Sequence, residues 1–138
     1  MGDFAHYLSS NILDYIFGLE NYSPPITMYL GLSTTTVNDD GTGVTEPDAP
    51  SYSRISINNN KIVWSAAEVS EGKSSLKNVS EFEFNTATES WGTIVSWFIS
   101  DSESSGNVLT YGTLDPSITI DENNRLIIPA EAITITLD

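Results

Sequence analysis

The residue types that do chemistry are scarce in this 138-residue chain. It has no cysteine and a single histidine, His6, and it lacks the Gly-x-Ser-x-Gly motif that carries a serine nucleophile. Acid–base catalysis would therefore depend on carboxylates alone. The best-placed pair is Glu81 and Glu83, which share one face of a predicted strand and would suit a small carboxylate hydrolase. They alternate with phenylalanines, however, which is typical of a solvated face. We predict no catalytic residue, no cofactor-binding residue and no enzyme activity.

Two acidic loops offer oxygen ligands for calcium. Residues 36–41 and 101–106 each place a glycine sixth, as the calcium loop of an EF-hand does. The twelfth position of that motif needs a bidentate glutamate, but it holds Pro47 in the first loop and Gly112 in the second. Asp and Gly are also the ordinary residues of solvated turns. We predict no metal site, with a non-helical oxygen cage as the alternative.

Three tryptophans are candidates for stacking on sugar rings. Trp97 lies inside an apolar run, which favours the core, whereas Trp91 stands at the entrance of a predicted strand and is expected to be partly exposed; Trp64 is the third. The alternative function is therefore a host-glycan-binding module that uses exposed aromatic residues. A cluster of solvent-exposed Trp and Tyr would favour that function over a structural one.

The charge balance argues against nucleic acid as a partner. The chain has 5 Lys plus Arg against 19 Asp plus Glu, a formal net charge of -14. The five cations are scattered, so no basic patch is available to neutralise phosphates. These cations are Arg54, Lys61, Lys73, Lys77 and Arg125. The apolar stretch over residues 8–19 is interrupted by polar residues and follows no cationic segment, so we expect a soluble protein with no signal peptide and no membrane partner.

Apolar spacing near the start of the chain predicts an amphipathic helix over residues 3–19. Asp3 is the predicted N-cap and Gly18 the predicted terminator. One stripe is formed by Phe4, Leu8, Ile12, Tyr15, Ile16 and Leu19. We expect this stripe to pack on the rest of the fold.

After Pro24 and Pro25 the pattern changes to short alternating runs, which predict strands. The predicted strands cover residues 26–33, 52–57, 61–64, 81–85, 93–99, 108–114, 117–120, 125–128 and 132–137. Alternation such as Ile133, Ile135 and Leu137 on one face indicates half-buried antiparallel strands. We predict one domain over residues 1–138: a mainly β fold, an antiparallel β-sandwich or jelly roll over 26–138, with one N-terminal helix and the longest loop over 34–51.

Short segments in a fixed order resemble a family of small structural proteins of tailed bacteriophages, of the tail fibre or minor tail protein type. These segments are YLSSNILD at 7–14, YSPP at 22–25, MYLGL at 28–32, DDGTG at 39–43, YSR at 52–54, FNTAT at 84–88, WGT at 91–93, and Asp101 followed by GNVLTYG at 106–112. The resemblance implies a non-enzymatic component of the virion exterior, on the tail or as a head decoration protein. It also implies synthesis in the bacterial host cytoplasm, with other virion proteins as partners.

A second face of the predicted helix carries the candidate site residues. Leu13 and Phe17 form an i, i+4 pair that points away from the main stripe, beside His6. Two large apolar side chains left in water are unusual for a monomer. We therefore predict that His6, Leu13 and Phe17 form an assembly interface, most plausibly in a symmetric homo-oligomer such as a trimer, or with the particle shell. The alternative is a helix buried between the sandwich and the long loop.

Overall fold

The computed structural model describes residues 2–137 and contains, within that range, ten strands and one helix. In chain order these are β1 (Gly2–Phe4), α1 (His6–Gly18), β2 (Thr27–Ser33), β3 (Ile55–Asn58), β4 (Glu68–Ser70), β5 (Lys73–Lys77), β6 (Phe82–Glu83), β7 (Gly92–Ser100), β8 (Val108–Ile120), β9 (Ile127–Ile128) and β10 (Thr134–Leu137).

Eight of the strands form one sheet in the order β3-β2-β7-β8-β1-β10-β5-β4, and β6 pairs with β9 in a separate two-stranded sheet. The mainly β, sandwich-like fold with a single N-terminal helix is thus confirmed. The large sheet is mixed rather than purely antiparallel, because β1 runs parallel to β10. Sequence reasoning placed residues 2–4 in or before the helix and so missed this central strand.

The main core lies between the large sheet and the chain around the small one. Phe82, Phe84 and Ile128 pack in the same cluster as Leu30 and Trp97. Four pairs of aromatic rings, with centroids 5.3 to 6.5 Å apart, stiffen this cluster. Such pairs add about 0.5 to 1.5 kcal/mol each beyond the area they bury.

All three tryptophans belong to this core. Trp97 is 4% exposed, as its apolar surroundings predicted, and Trp64 is 6% exposed. Trp91 is only 3% exposed, so the expectation that it is partly exposed is wrong. Its ring makes an edge contact with Tyr52 and its indole N–H donates a hydrogen bond of 2.9 Å to Ser51 Oγ, which satisfies the one polar atom of the ring.

The loop over residues 34–54 joins β2 to β3 and contacts both core clusters. Its later part, with Ala49 and Tyr52, packs against the main core, whereas its first part packs around the second core cluster. Val37 from this loop is buried with Ala5, Phe98 and Val108. The loop is the longest of the described chain, as predicted, although it extends three residues beyond 51.

Arg54 fixes the end of this loop. Its Nε donates to Glu46 Oε1 at 2.9 Å, and its Nη1 donates to the carbonyl of Ser102 at 2.7 Å. The guanidinium carbon also lies 4.9 Å from the centre of the Phe98 ring. One buried cation therefore joins the long loop to the turn that follows β7.

The helix begins at His6, three residues after the predicted start. Residues 2–4 pair with β8 and β10, so their backbone groups are satisfied in the sheet. Asp3 is consequently not the N-cap; Ala5 is, without a side-chain hydrogen bond. Gly18 is the last helical residue, and Leu19 ends the helix in a left-handed conformation with φ of 56°.

Several strand boundaries also differ from the sequence prediction. Residues 61–64 form a turn with one isolated bridge at Trp64. The Asn60 side chain accepts a hydrogen bond of 2.9 Å from the amide of Ile62, which favours a turn over a strand. Residues 108–114 and 117–120 form one continuous strand, β8. The β4–β5 hairpin was not predicted.

Candidate assembly surface

The helix α1 is attached to the fold at its N-terminal end. The amide of Ala5 donates to the carbonyl of Leu109 at 2.9 Å, and the amide of His6 donates to the carbonyl of Asp39 at 2.8 Å. Further along, Leu8 and Ile12 are half-buried. No residue of α1 is buried, so the second half of the helix stands away from the body of the protein.

The exposed side chains of that second half are large and apolar. Leu13 is 58%, Tyr15 52%, Ile16 57%, Phe17 83% and Leu19 87% exposed. We refer to these five residues together with His6 as the helix surface. Large apolar side chains left exposed in this number are unusual for a monomer, which makes the helix surface a candidate interaction site.

The predicted packing of the main stripe is therefore largely wrong. Leu8 and Ile12 do lie against the fold, and Phe4 contributes from β1, but Tyr15, Ile16 and Leu19 remain more than half exposed. The main contacts of α1 are with β1 and β8, and the amide of His6 also bonds to the long loop. None of these contacts buries a residue in the second half of the helix. The alternative of a helix buried between sandwich and loop is wrong for the same reason.

The three predicted site residues lie along one side of α1. At 100° per residue, Leu13 and Phe17 are each within about 20° of His6 around the helix axis. They follow His6 by about 10 and 16 Å along that axis. All three side chains are exposed. The geometry thus brings these three into one stripe. Ile16 lies about 80° and Tyr15 about 180° from His6 around the helix axis, so the exposed apolar side chains surround the second half of α1 rather than widen this stripe.

Beside His6, at the base of the helix, a polar cavity opens between the sheet and the long loop. The Tyr111 hydroxyl donates to the Asp39 carboxylate there. Burial, this hydrogen bond and the negative charges of Asp39 and Asp3 raise the pKa of Tyr111 to about 12.

The carboxylates of the two acidic loops are engaged in their own turns. Asp40 Oδ1 accepts the Thr42 hydroxyl at 2.6 Å and the Thr42 amide at 3.0 Å, which lowers the pKa of Asp40. Asp101 accepts both the amide and the side-chain Nδ2 of Asn107, at 2.8 and 2.9 Å. Within residues 2–137, no group of three or more His, Asp or Glu residues is placed to hold a metal ion.

The remaining candidate residues do not form a site. Glu81 and Glu83 are exposed, and Glu83 forms an ion pair with Arg125. Because all three tryptophans are buried, they do not form a stacking platform. The exposed aromatic residues of the described chain lie instead on α1, at Tyr7, Tyr15 and Phe17.

Comparison with known protein families decides what kind of protein carries this surface. A family model described as Podophage GP4 fiber I protein gp80 matches residues 3–136. The chain belongs to that family. Among curated proteins, none matches the chain.

Membership of the podophage fibre I family confirms the resemblance to tailed-phage structural proteins. The chain is thus a phage fibre structural protein, and its family implies a place in the virion. The only helix in residues 2–137 is too short to cross a bilayer.

Proposed function

We propose that this fibre protein is a non-enzymatic component of the exterior of a tailed-phage particle, on the tail or as a head decoration. We propose further that it is made in the host cytoplasm and is built into the particle through the helix surface. The observation that carries the proposal is that α1 has no buried residue while Phe17 and Leu19 are more than four-fifths exposed. A folded protein retains such a surface when a partner covers it.

The apolar side chains of the helix surface supply part of the free energy that assembly needs. Burial of a large apolar side chain contributes about 1.5 to 3 kcal/mol, so Leu13 and Phe17 alone give about 3 to 6 kcal/mol. Association costs about 4 to 15 kcal/mol in lost freedom of motion. Tyr15, Ile16 and Leu19 add to this contribution only if neighbouring chains surround the second half of α1, because they lie on other sides of the helix than Leu13 and Phe17.

We favour a homo-oligomer, with a trimer as the leading arrangement and other virion proteins as further partners. In a trimer, the helices of three copies surround a threefold axis, and each helix contacts both neighbours. No copy is then left with an uncovered interface. The net charge of -14 opposes close approach of two chains. The exposed carboxylates of Asp14 and Glu20 adjoin the helix surface, so its apolar contacts must outweigh some local repulsion.

The test compares Leu13→Asp combined with Phe17→Ser against the unmodified chain, by light scattering coupled to size exclusion. We expect the unmodified chain to have about three times the mass of one chain, and the double variant to be monomeric with unchanged circular dichroism. Ile62→Asp combined with Val69→Ser is the matched control, because both residues are 77% exposed but lie outside α1. An unmodified chain that stays monomeric at all concentrations, or a double variant that assembles normally, would contradict the proposal.

A host-glycan-binding module remains the second candidate. Tyr7, Tyr15 and Phe17 favour it, since exposed aromatic rings stack on sugars, although the tryptophans expected to do so are buried. A glycan array probed with the folded chain tests it: saturable binding lost in Tyr15→Ser supports this function, and an array without signal contradicts it.

A further inference from the structure

An apolar groove opens beside the base of α1, along the main core. It consists of two adjoining hollows of about 140 and 160 Å³, lined almost entirely by apolar atoms. Both hollows share the half-buried residues Phe4, Leu76 and Ile135, from β1, β5 and β10. The first hollow also reaches Trp64 and Ile99 of the main core cluster. The groove, which we call the side groove, is therefore a place where the main core is left uncovered.

The chain's own helix leaves the side groove open. Leu8 is the last residue of α1 that lines it, and the second half of α1 stands away from the fold. Phe17 is accordingly 83% exposed. One chain thus carries an uncovered apolar helix and an uncovered apolar groove side by side, and neither covers the other within that chain.

The side groove and the exposed helix match in size. A cavity of about 150 Å³ lined by aliphatic and aromatic side chains holds one benzene ring. Each hollow therefore has room for one large side chain such as Phe17 or Leu13. These two residues lie on one side of α1, about 6 Å apart along its axis. Helix-in-groove recognition uses anchors with this i, i+4 spacing.

A groove also suits the distribution of apolar side chains around α1. Ile16 is 57% and Tyr15 52% exposed, and both lie on other sides of the helix than Phe17. A flat surface would cover one side of the helix only. A groove has a floor and two walls, so it covers more of these side chains at once.

The charges near the two features differ in sign. Residues 6–20 contain two carboxylates, Asp14 and Glu20, and no lysine or arginine. Residues 61–77, which contribute to both hollows, contain three lysines and two glutamates in a chain whose net charge is -14. The lysines of β5 alternate with its groove residues, so they act through the local field, which extends about 10 Å at 0.1 M salt. This field offsets part of the repulsion between copies.

We propose that the side groove receives the second half of α1 from a second copy of this chain, with Phe17 and Leu13 in its two hollows. Each copy then gives its helix to one neighbour and receives a helix from the other, so each helix contacts both neighbours. Such a head-to-tail contact forms a ring when the rotation between copies closes, here with three copies. This contact rests on the proposed assembly through α1 and names the surface that α1 meets.

Cross-linking between two single-cysteine variants tests the contact, because the chain has no cysteine of its own. Gly18→Cys stands next to Phe17, where an added side chain has room, and Ser74→Cys is a near-isosteric change in the second hollow. The two variants are mixed, allowed to exchange subunits and treated with a short bis-maleimide. We expect a cross-linked pair that contains one chain of each kind.

The matched control is Ser117→Cys, mixed with Gly18→Cys in the same way. Ser117 is exposed and lies about 23 Å along β8 from Thr110, which lines the first hollow. We expect no cross-linked pair from this mixture.

A substitution that fills the groove tests it without altering α1. Ala67 lines the second hollow and Ala66 does not, although both are exposed. We expect Ala67→Phe to raise the concentration at which the trimer half-dissociates at least tenfold, because its ring takes the space that the incoming helix needs. Ala66→Phe should assemble as the unmodified chain does, and both variants should keep the circular dichroism of the folded chain.

Three results would overturn the contact. They are the absence of a Gly18→Cys to Ser74→Cys pair, normal assembly of Ala67→Phe, and pairing of Gly18→Cys with itself in place of Ser74→Cys. Any of them in a chain that still forms trimers rejects this contact and leaves the proposed function standing. An unmodified chain that stays monomeric contradicts the proposed function itself, and the side groove then receives no helix.

Discussion

Arg54 is the residue that ties the long loop to the rest of the molecule. Its side chain is 5% exposed, and it donates to Glu46, to Ser100 Oγ and to the carbonyls of Ser102 and Ser105. Tyr52 supports the same carboxylate with a hydrogen bond of 2.7 Å. Burial opposes the ionised form of Glu46, but the bonds from Arg54 and Tyr52 and the Arg54 charge outweigh it and lower its pKa.

The first prediction concerns this pair. Arg54→Ala leaves a half-buried carboxylate and several carbonyls without their partner, and we expect a loss of about 3 to 5 kcal/mol in the free energy of unfolding. Arg125→Ala is the control, because its ion pair with Glu83 is about half exposed and is expected to contribute about 0 to 1 kcal/mol. Denaturant titrations measure both. Equal losses in the two variants would show that burial of Arg54 has no energetic consequence.

The second prediction concerns alkaline stability. Tyr111 keeps its proton up to about pH 12 in the folded state, whereas an unfolded tyrosine releases it near pH 10. The unfolded state therefore binds fewer protons in this window, so the free energy of unfolding falls as pH rises through it. Tyr111→Phe should reduce this fall; Tyr52 and Tyr22, whose pKa values burial also raises, contribute to the part that remains. A profile unchanged in Tyr111→Phe would contradict the prediction.

At the scale of elements, the centre of the large sheet depends on glycines that face aromatic rings. A Cβ added at Gly112 on β8 would lie 2.6 Å from the Trp97 ring of β7, and one at Gly2 on β1 would lie 2.5 Å from it. The ring of Trp97 thus lies flat across two neighbouring strands, which is possible only where they lack side chains.

The third prediction follows from this packing. Gly112→Ala forces Trp97 out of its place, and we expect a loss of about 1 to 3 kcal/mol, as for other overpacked cores. Gly18→Ala at the end of α1 is the control, since its nearest atom lies 3.9 Å away; it should be neutral or slightly stabilising. Thermal melts compare the two. A Gly112→Ala variant as stable as Gly18→Ala would contradict the assigned contact.

The elements that sequence reasoning found are those with local signals, namely α1 and the strands with alternating apolar residues. β1 has three residues and becomes a strand only because distant β8 and β10 flank it. The β4–β5 hairpin carries mostly polar residues, and its Glu71-Gly72 turn, with both φ values positive, has only a weak local signature.

The candidate site, too, could be predicted from the sequence only in part. The positions of His6, Leu13 and Phe17 on one side of a helix follow from helical period alone. The exposure of Tyr15, Ile16 and Leu19 does not, because it depends on how far the neighbouring elements extend.

At the scale of the whole molecule, two surfaces meet at the base of α1: an apolar one along the helix and a polar cavity beside His6. The helix surface is the one through which we propose that copies of the chain assemble.

The measurement that tests this account most directly is an electron cryomicroscopy reconstruction, at side-chain resolution, of the phage particle that contains this fibre protein. The account predicts that the chain lies on the exterior of the particle, in symmetric groups, with Leu13 and Phe17 covered by a neighbouring chain. A particle in which the helix surface faces solvent in every copy, or one that lacks the chain, would contradict it.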